Sequence, residues 1–387
     1  MNAFSKIDMQ EATRLTREGR LEEAMAVLRG EAPRNDRAVE QADSAQLILD
    51  MIAPTGAGGA WTSPTSKPAG FARSPAAMEK VLDGLKHFKP AAGFHGGHAP
   101  RATPSVPKGA RYEERAYSNQ AGSRGYKLYL PSGYSGQPLP LVVMLHGCTQ
   151  SPDDFALGTR MNEVAEEQTF IVAYPAQAQS ANMSRCWNWF SVGDQQRDRG
   201  EPSLIAGITR EIMGEFEIET GRVYVAGLSA GGAAAAIMGS THPDLYAAVG
   251  VHSGLACGAA KDMPSAMAAM RQGSRGEGGS SGGVPTIVFH GDRDSTVHPV
   301  NGDQVIAQCS AGAGFGTSIS HGEAAGMPFT RTVHVDDEGR AMHEQWLLHG
   351  AGHAWSGGSA SGSYTDPRGP DASREMIRFF LGHRALR

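Results

Sequence analysis

Gly227-Leu228-Ser229-Ala230-Gly231 places a serine between glycines two residues before and two after it, a spacing that suits nucleophilic attack on a carbonyl. An apolar run, Arg222 to Ala226, precedes it, and a run of small residues, Ala233 to Met238, follows. The first predicts a buried strand and the second a helix, so the turn between them is a sharp corner that presents the serine oxygen. The glycines pass close to neighbouring backbone, where a Cβ would clash. Gly278-Gly279-Ser280-Ser281-Gly282 fits the same template, but it lies in a glycine-serine stretch, 272–283, with no strand before it and no helix after it.

A serine nucleophile needs a general base, and the base needs an acid that fixes its tautomer. The stretch Pro285 to Pro299 is an apolar strand ending in a carboxylate-rich turn, where Asp292 and Asp294 both suit the acid. Of the fourteen histidines, His353 has the best position, in a glycine-rich loop fed by a candidate strand, His343 to Leu348. His349 reads as a loop residue, and His334 and His343 fall in a hairpin whose turn is Asp337-Glu338-Gly339. An oxyanion hole needs one amide from the residue after the nucleophile and one from a loop after an earlier strand. Ala230 supplies the first. The strand and loop Leu139 to Gln150 supply the second, assigned to the Cys148 amide.

Several segments together resemble the polyhydroxybutyrate depolymerase family of esterases: His146-Gly-Cys-Thr-Gln150, Arg185-Cys-Trp-Asn-Trp189, Gly227-Leu-Ser-Ala-Gly-Gly232, Gly291 to Val297, Gly352 to Gly358 and Gly369 to Ser373. The resemblance spans about Tyr112 to Leu386 and is far more specific than any one motif. It implies an α/β-hydrolase fold, a mostly parallel central sheet flanked by helices, and hydrolysis of polyhydroxyalkanoate esters. The family is similar to feruloyl and acetylxylan esterases, so the resemblance names the bond more securely than the substrate. Ser229, Asp294 and His353, in that order, follow the chain order of the α/β-hydrolase triad. By analogy with strand-His-Gly-x-x-Asp loops of that fold, Asp294 is favoured over Asp292, which would brace the turn. Family motifs flank the site with Cys148 and Cys186, the favoured disulfide, leaving Cys257 with Cys309 as a second. Trp187 and Trp355 would line an apolar acyl groove, although large aromatics mostly serve packing. Gln150 and Asn188 are candidates for a hydrogen bond to a substrate carbonyl, but loop polar residues more often satisfy backbone and they are left out of the catalytic set.

The elements expected to position these residues begin near Arg111. Tyr112–Tyr117 and Tyr126–Leu130 suggest a hairpin. Further strands follow at 141–145, 170–174, 223–226, 248–252, 286–290, 332–335 and 345–348, with helices at 154–167, 204–216 and 372–383. Residues 111–387 are therefore read as the catalytic domain and 1–110 as a helical, partly disordered extension. That extension contains an amphipathic helix over 7–29 and a second helix over 76–88, between Pro/Gly-rich linkers. It could dock on the catalytic domain or meet a polymer surface, a granule or a partner.

A net charge of −5 argues against an electrostatic nucleic-acid binder. No Walker A loop, dinucleotide fingerprint or His-Glu-x-x-His occurs, and the serine chemistry needs no cofactor or metal. No run of 18 apolar residues suggests a transmembrane segment. The first residues lack an apolar signal core, giving a cytoplasmic reading; paired cysteines would favour the secreted alternative. Besides the polyester or small-ester hydrolase and the carbohydrate esterase, a non-catalytic granule-binding protein is the third function considered.

Overall fold

The computed structural model describes residues 103–274, 283–312 and 314–385. The expected helices at 7–29 and 76–88, their linkers, and most of the glycine-serine stretch at 272–283 lie outside the described residues. Among the described residues the first elements are an antiparallel hairpin, β1 (Arg111–Asn119) and β2 (Gly122–Leu130). Then come β3 (Leu139–Leu145), α1 (Pro152–Thr159), α2 (Met161–Gln168), β4 (Ile171–Pro175), α3 (Gly200–Glu215), β5 (Ile218–Leu228), α4 (Ala230–Thr241) and β6 (Ala248–His252). The remainder is α5 (Met263–Gln272), β7 (Thr286–Gly291), α6 (Val300–Cys309), β8 (Gly316–Ala324), β9 (Met327–Val335), β10 (Ala341–Leu348), the short β11 (Trp355–Ser356) and β12 (Thr365–Asp366), and α7 (Ala372–Leu381).

The main sheet has ten strands in the order β1-β2-β4-β3-β5-β6-β7-β10-β9-β8. Strands β4, β3, β5, β6, β7 and β10 run parallel, and antiparallel hairpins close both edges. Strands buried on both faces read as continuous apolar runs, which is why Leu139–Leu145 and Ala248–His252 show no polar alternation. Side chains still alternate between faces. Val143 and Val225 enter a core with α3 and α4, while Met144, Tyr224 and Leu228 enter a second core with α1, α2 and α7. The result is an α/β-hydrolase fold with helices on both faces of the sheet.

Several details differ from the sequence reading. The helix expected over 154–167 is two, because Arg160 adopts a left-handed backbone (φ 53°). Its guanidinium donates to Gly357 O and Asp371 Oδ2, each at 2.9 Å. Strand β8 was not expected: its first six residues are exposed, so no buried alternation marks it. Helices α5 and α6 likewise go beyond the helices read from sequence.

Candidate active site

The carboxyl ends of β5, β6, β7 and β10 lie side by side, and the segments leaving β5, β7 and β10 carry Ser229, Asp294 and His353. Ser229 sits at φ 58°, ψ −120°, between the end of β5 and the start of α4. Close packing explains the glycines around it. A Cβ on Gly231 would lie 1.9 Å from Leu145 O, and one on Gly227 would lie 2.3 Å from the Gly231 carbonyl carbon. The Ser229 amide donates to His252 O at 2.9 Å, so β6 holds the strained corner. Ser229 Oγ makes no hydrogen bond among the described residues, and the residue is partly exposed.

The structure brings Asp294 and His353 together. Asp294 Oδ2 lies 2.7 Å from His353 Nδ1, while Oδ1 accepts the amides of Thr296 and Val297, both at 2.9 Å. A carboxylate only accepts, so Nδ1 donates, and in the neutral imidazole this leaves Nε2 as the free acceptor. The Asp294 side chain is wholly buried, that of His353 11% exposed. Burial opposes the charge on Asp294, but the His353 hydrogen bond and the Val297 amide hold its carboxyl below the usual value. Asp292 serves a separate pair: Oδ2 lies 3.0 Å from His349 Nδ1 and Oδ1 accepts the Gly350 amide at 2.7 Å. It braces the loop in which His353 lies.

The oxyanion assignments fall on amides with no acceptor among the described residues: Ala230 opens α4, and Cys148 lies in the loop after β3. That loop is pinned on each side. Gln150 Oε1 accepts the Gly147 amide at 2.9 Å, its Nε2 donates to Ser363 O, and Thr149 N donates to Ser184 O at 2.7 Å. A Cys148–Cys186 disulfide joins it to the segment containing Ser184.

Two expectations are corrected. Cys257 and Cys309 are free thiols: Cys309 Sγ contacts Thr286 Oγ1 at 3.4 Å, and the Gln308 amide clamps the Cys257 backbone through its N–H and its carbonyl. Trp187 and Trp355 do not form groove walls; both are 0% exposed. Trp187 Nε1 donates to His146 O at 3.1 Å and Trp355 Nε1 to Ser373 Oγ at 3.1 Å, so both indoles sit in the core behind the loops. Asn188, with its amide and Nδ2 on Glu201, also serves the scaffold.

Sequence reasoning passed over the histidines that support the site. His146 Nδ1 donates to Gly147 O and its Nε2 accepts the Gln177 amide at 3.1 Å; burial lowers its pKa to about 4. His252 is stacked between Phe289 and Trp355, accepts the Ser356 amide on Nε2 at 3.0 Å, and is lowered to about 3, first by burial and then by nearby His290 and His353. His290 Nε2 donates to Val297 O at 2.8 Å and lies 3.6 Å from Asp294 Oδ2. Each lies at or just beyond the carboxyl end of a parallel strand, and His146 and His290 also fall within motif segments, His146-Gly-Cys-Thr-Gln150 and the His-Gly-x-x-Asp loop.

The profile of the family described as esterase PHB depolymerase matches residues 124–327, more than half of the chain. This chain belongs to that family. Among curated relatives, poly(3-hydroxyalkanoate) depolymerase C of Paucimonas lemoignei is 31% identical over 238 residues, 58% of this chain and 57% of the relative. Probable acetylxylan esterase A of Neosartorya fischeri is 28% identical over 204 residues, 48% of this chain and 54% of the relative. Feruloyl esterase B of Neurospora crassa is 31% identical over 140 residues, 36% of this chain and 46% of the relative. The chain spans about half the length of these relatives. Among solved structures, acetyl xylan esterase from Aspergillus awamori superposes with a TM-score of 0.51 at 20% identity, covering 67% of this chain and 94% of that one, which supports the fold. Among the described residues of this family member, no helix is long and apolar enough to cross a membrane.

Proposed function

We propose that this chain is a serine carboxylesterase that hydrolyses polyhydroxyalkanoate esters, as polymer or oligomer, through an acyl-enzyme on Ser229. The observation that carries this reading is the 2.7 Å contact between buried Asp294 and His353 Nδ1, on loops beside the Ser229 corner. His353 Nε2 takes the Ser229 proton as Oγ attacks the ester carbonyl, and the Cys148 and Ala230 amides donate to the oxyanion. Collapse expels the alcohol, which receives that proton from Nε2. Water then gives a proton to Nε2 and attacks the acyl carbon; the acid leaves and Ser229 recovers its proton. Asp294 orients the imidazole and stabilises its charged form throughout.

The names of the acetylxylan and feruloyl esterase relatives favour a second reading, the same chemistry on acyl groups of plant polysaccharide. Product analysis separates the two: the protein and its Ser229→Ala variant are incubated with hydroxybutyrate oligomers, amorphous polyhydroxybutyrate, methyl ferulate and acetylated xylan. Serine-dependent release of hydroxybutyrate is expected. Release of only ferulate or acetate moves the substrate to polysaccharide, and polymer binding with no turnover supports the granule-binding alternative through the N-terminal extension. Localisation belongs to the same proposal. The cytoplasmic reading competes with the secreted one, which the Cys148–Cys186 bond favours because cytosolic thiols are kept reduced.

A further inference from the structure

Tyr364 is 44% exposed and Met183 65% exposed, large apolar side chains on a surface where most such residues are covered. Isolated exposed hydrophobics are ordinary, so placement has to carry the argument. Tyr364 approaches Thr149, the residue after the Cys148 amide, directly, and Met183 is tied to it through its neighbour Ser184. Thr149 N donates to the carbonyl of Ser184, next to Met183, and Thr149 Oγ1 lies 3.4 Å from Tyr364 OH. Tyr364 is also tied to the loop of the base, since its carbonyl accepts the amide of Trp355, two residues after His353, at 2.7 Å. Its backbone is thus anchored at the base loop, its phenol lies against the oxyanion loop, and the ring spans the two loops that an ester bound at Ser229 must meet.

The bridge is held in place. Asp154 Oδ1 accepts the Ser363 amide at 3.0 Å, Gln150 Nε2 donates to Ser363 O at 3.0 Å, and Thr365 Oγ1 donates to Ser359 O at 2.8 Å. Thr149, Arg185 and Tyr364 have φ of 65°, 52° and 53°, three non-glycine residues in the left-handed region within one set of connected loops. Such backbone persists where its surroundings over-determine it, and it clusters at ligand clamps.

We propose that Tyr364, with Met183 on the other flank of Thr149, is the specificity-determining surface of this site and packs against the neutral aliphatic chain of the ester beyond the scissile carbonyl. This rests on the esterase reading and deepens it. An acetyl group is too short to use such a surface, whereas an extended hydroxyalkanoate chain offers methyl and methylene groups to both side chains.

The test measures kcat/KM over two series, p-nitrophenyl esters from acetate to octanoate and acetate esters of lengthening alcohols, with melting temperature followed for every variant. Tyr364→Ala is expected to lower kcat/KM by about tenfold or more for the long members of at least one series, with acetate on the short alcohol changed less than about twofold. Tyr364→Phe is expected to keep the wild-type profile and Met183→Ser to lower the long members by about threefold. If Tyr364→Ala does not fold, the Met183→Ser profile decides. Parallel profiles for wild type and variants in both series would overturn the proposal, as would Tyr364→Phe behaving like Tyr364→Ala. Absence of Ser229-dependent turnover on every ester is a different failure and removes the esterase reading with it.

Discussion

Ser356 donates its amide to Nε2 of His252 across 3.0 Å, and through this bond the segment just after His353 is joined to the strand whose carbonyl holds the Ser229 amide. His252 therefore links the base loop to the serine corner without touching a substrate. Its ring stacks against Phe289 and Trp355, with centroids 5.7 and 5.1 Å away.

His252→Ala removes a fully buried ring and leaves the Ser356 amide unpaired. The expected cost is about 3 kcal/mol of stability, with a fall in kcat of about tenfold or more as the base loop loosens. Urea unfolding and steady-state kinetics check this; wild-type stability and turnover would show that the link carries no weight.

Acid should weaken the fold. Burial lowers His146 to about 4, His252 to about 3 and His343 to about 4, so the folded protein leaves these rings neutral where the unfolded chain, titrating near 6.5, protonates them. Glu201 opposes one of the three, because burial pushes its carboxyl up to about 7 and the folded state then holds a proton that the unfolded one releases. The unfolded state still binds more protons between about pH 4 and pH 6.5, so this contribution to stability falls as pH drops through that window, each histidine contributing up to about 1.4 kcal/mol per pH unit. A urea midpoint at pH 5 clearly below that at pH 7 is expected; equal midpoints would contradict the account.

The two aspartates should separate kinetically. Asp294→Asn disturbs the tautomer of His353 and should lower kcat by about 10³-fold or more. Asp292→Asn disturbs the His349 and Gly350 contacts and should cost less than about tenfold. The reverse ranking in steady-state assays would transfer the acid role to Asp292.

Thiol chemistry should distinguish the cysteines. Alkylation of the unfolded, unreduced protein is expected to label Cys257 and Cys309 and to spare Cys148 and Cys186, read by peptide mass spectrometry. Replacing both disulfide cysteines with serine should cost about 2–4 kcal/mol. Label on Cys148 and Cys186 in the unreduced protein would contradict the disulfide.

The serine corner is legible in the sequence because its constraints are steric and local: an apolar strand, two glycines with backbone at contact distance, and an alanine-rich helix. The parallel strands are legible because burial on both faces makes them continuously apolar. Strand β8, in contrast, is an exposed edge of mostly small and polar residues, and its composition does not set it apart from a loop. Arg160 splits a helix through contacts to Gly357 and Asp371, which are remote in sequence. Trp187, Trp355, His146 and His252 could not be sorted into core or surface from residue type, since burial depends on which loops fold over them. The same holds for Cys257 and Cys309, whose side chains pair or stay free according to neighbours that spacing does not reveal.

The measurement that tests the central claim most directly is intact-protein mass spectrometry after treatment with a fluorophosphonate, followed by peptide mapping, on wild type, Ser229→Ala and His353→Ala. One adduct per chain on Ser229 is expected in the wild type, none in Ser229→Ala, and labelling slowed by about 10³-fold or more in His353→Ala. An unlabelled but folded wild type, or an adduct that persists in Ser229→Ala, would contradict a nucleophile at Ser229.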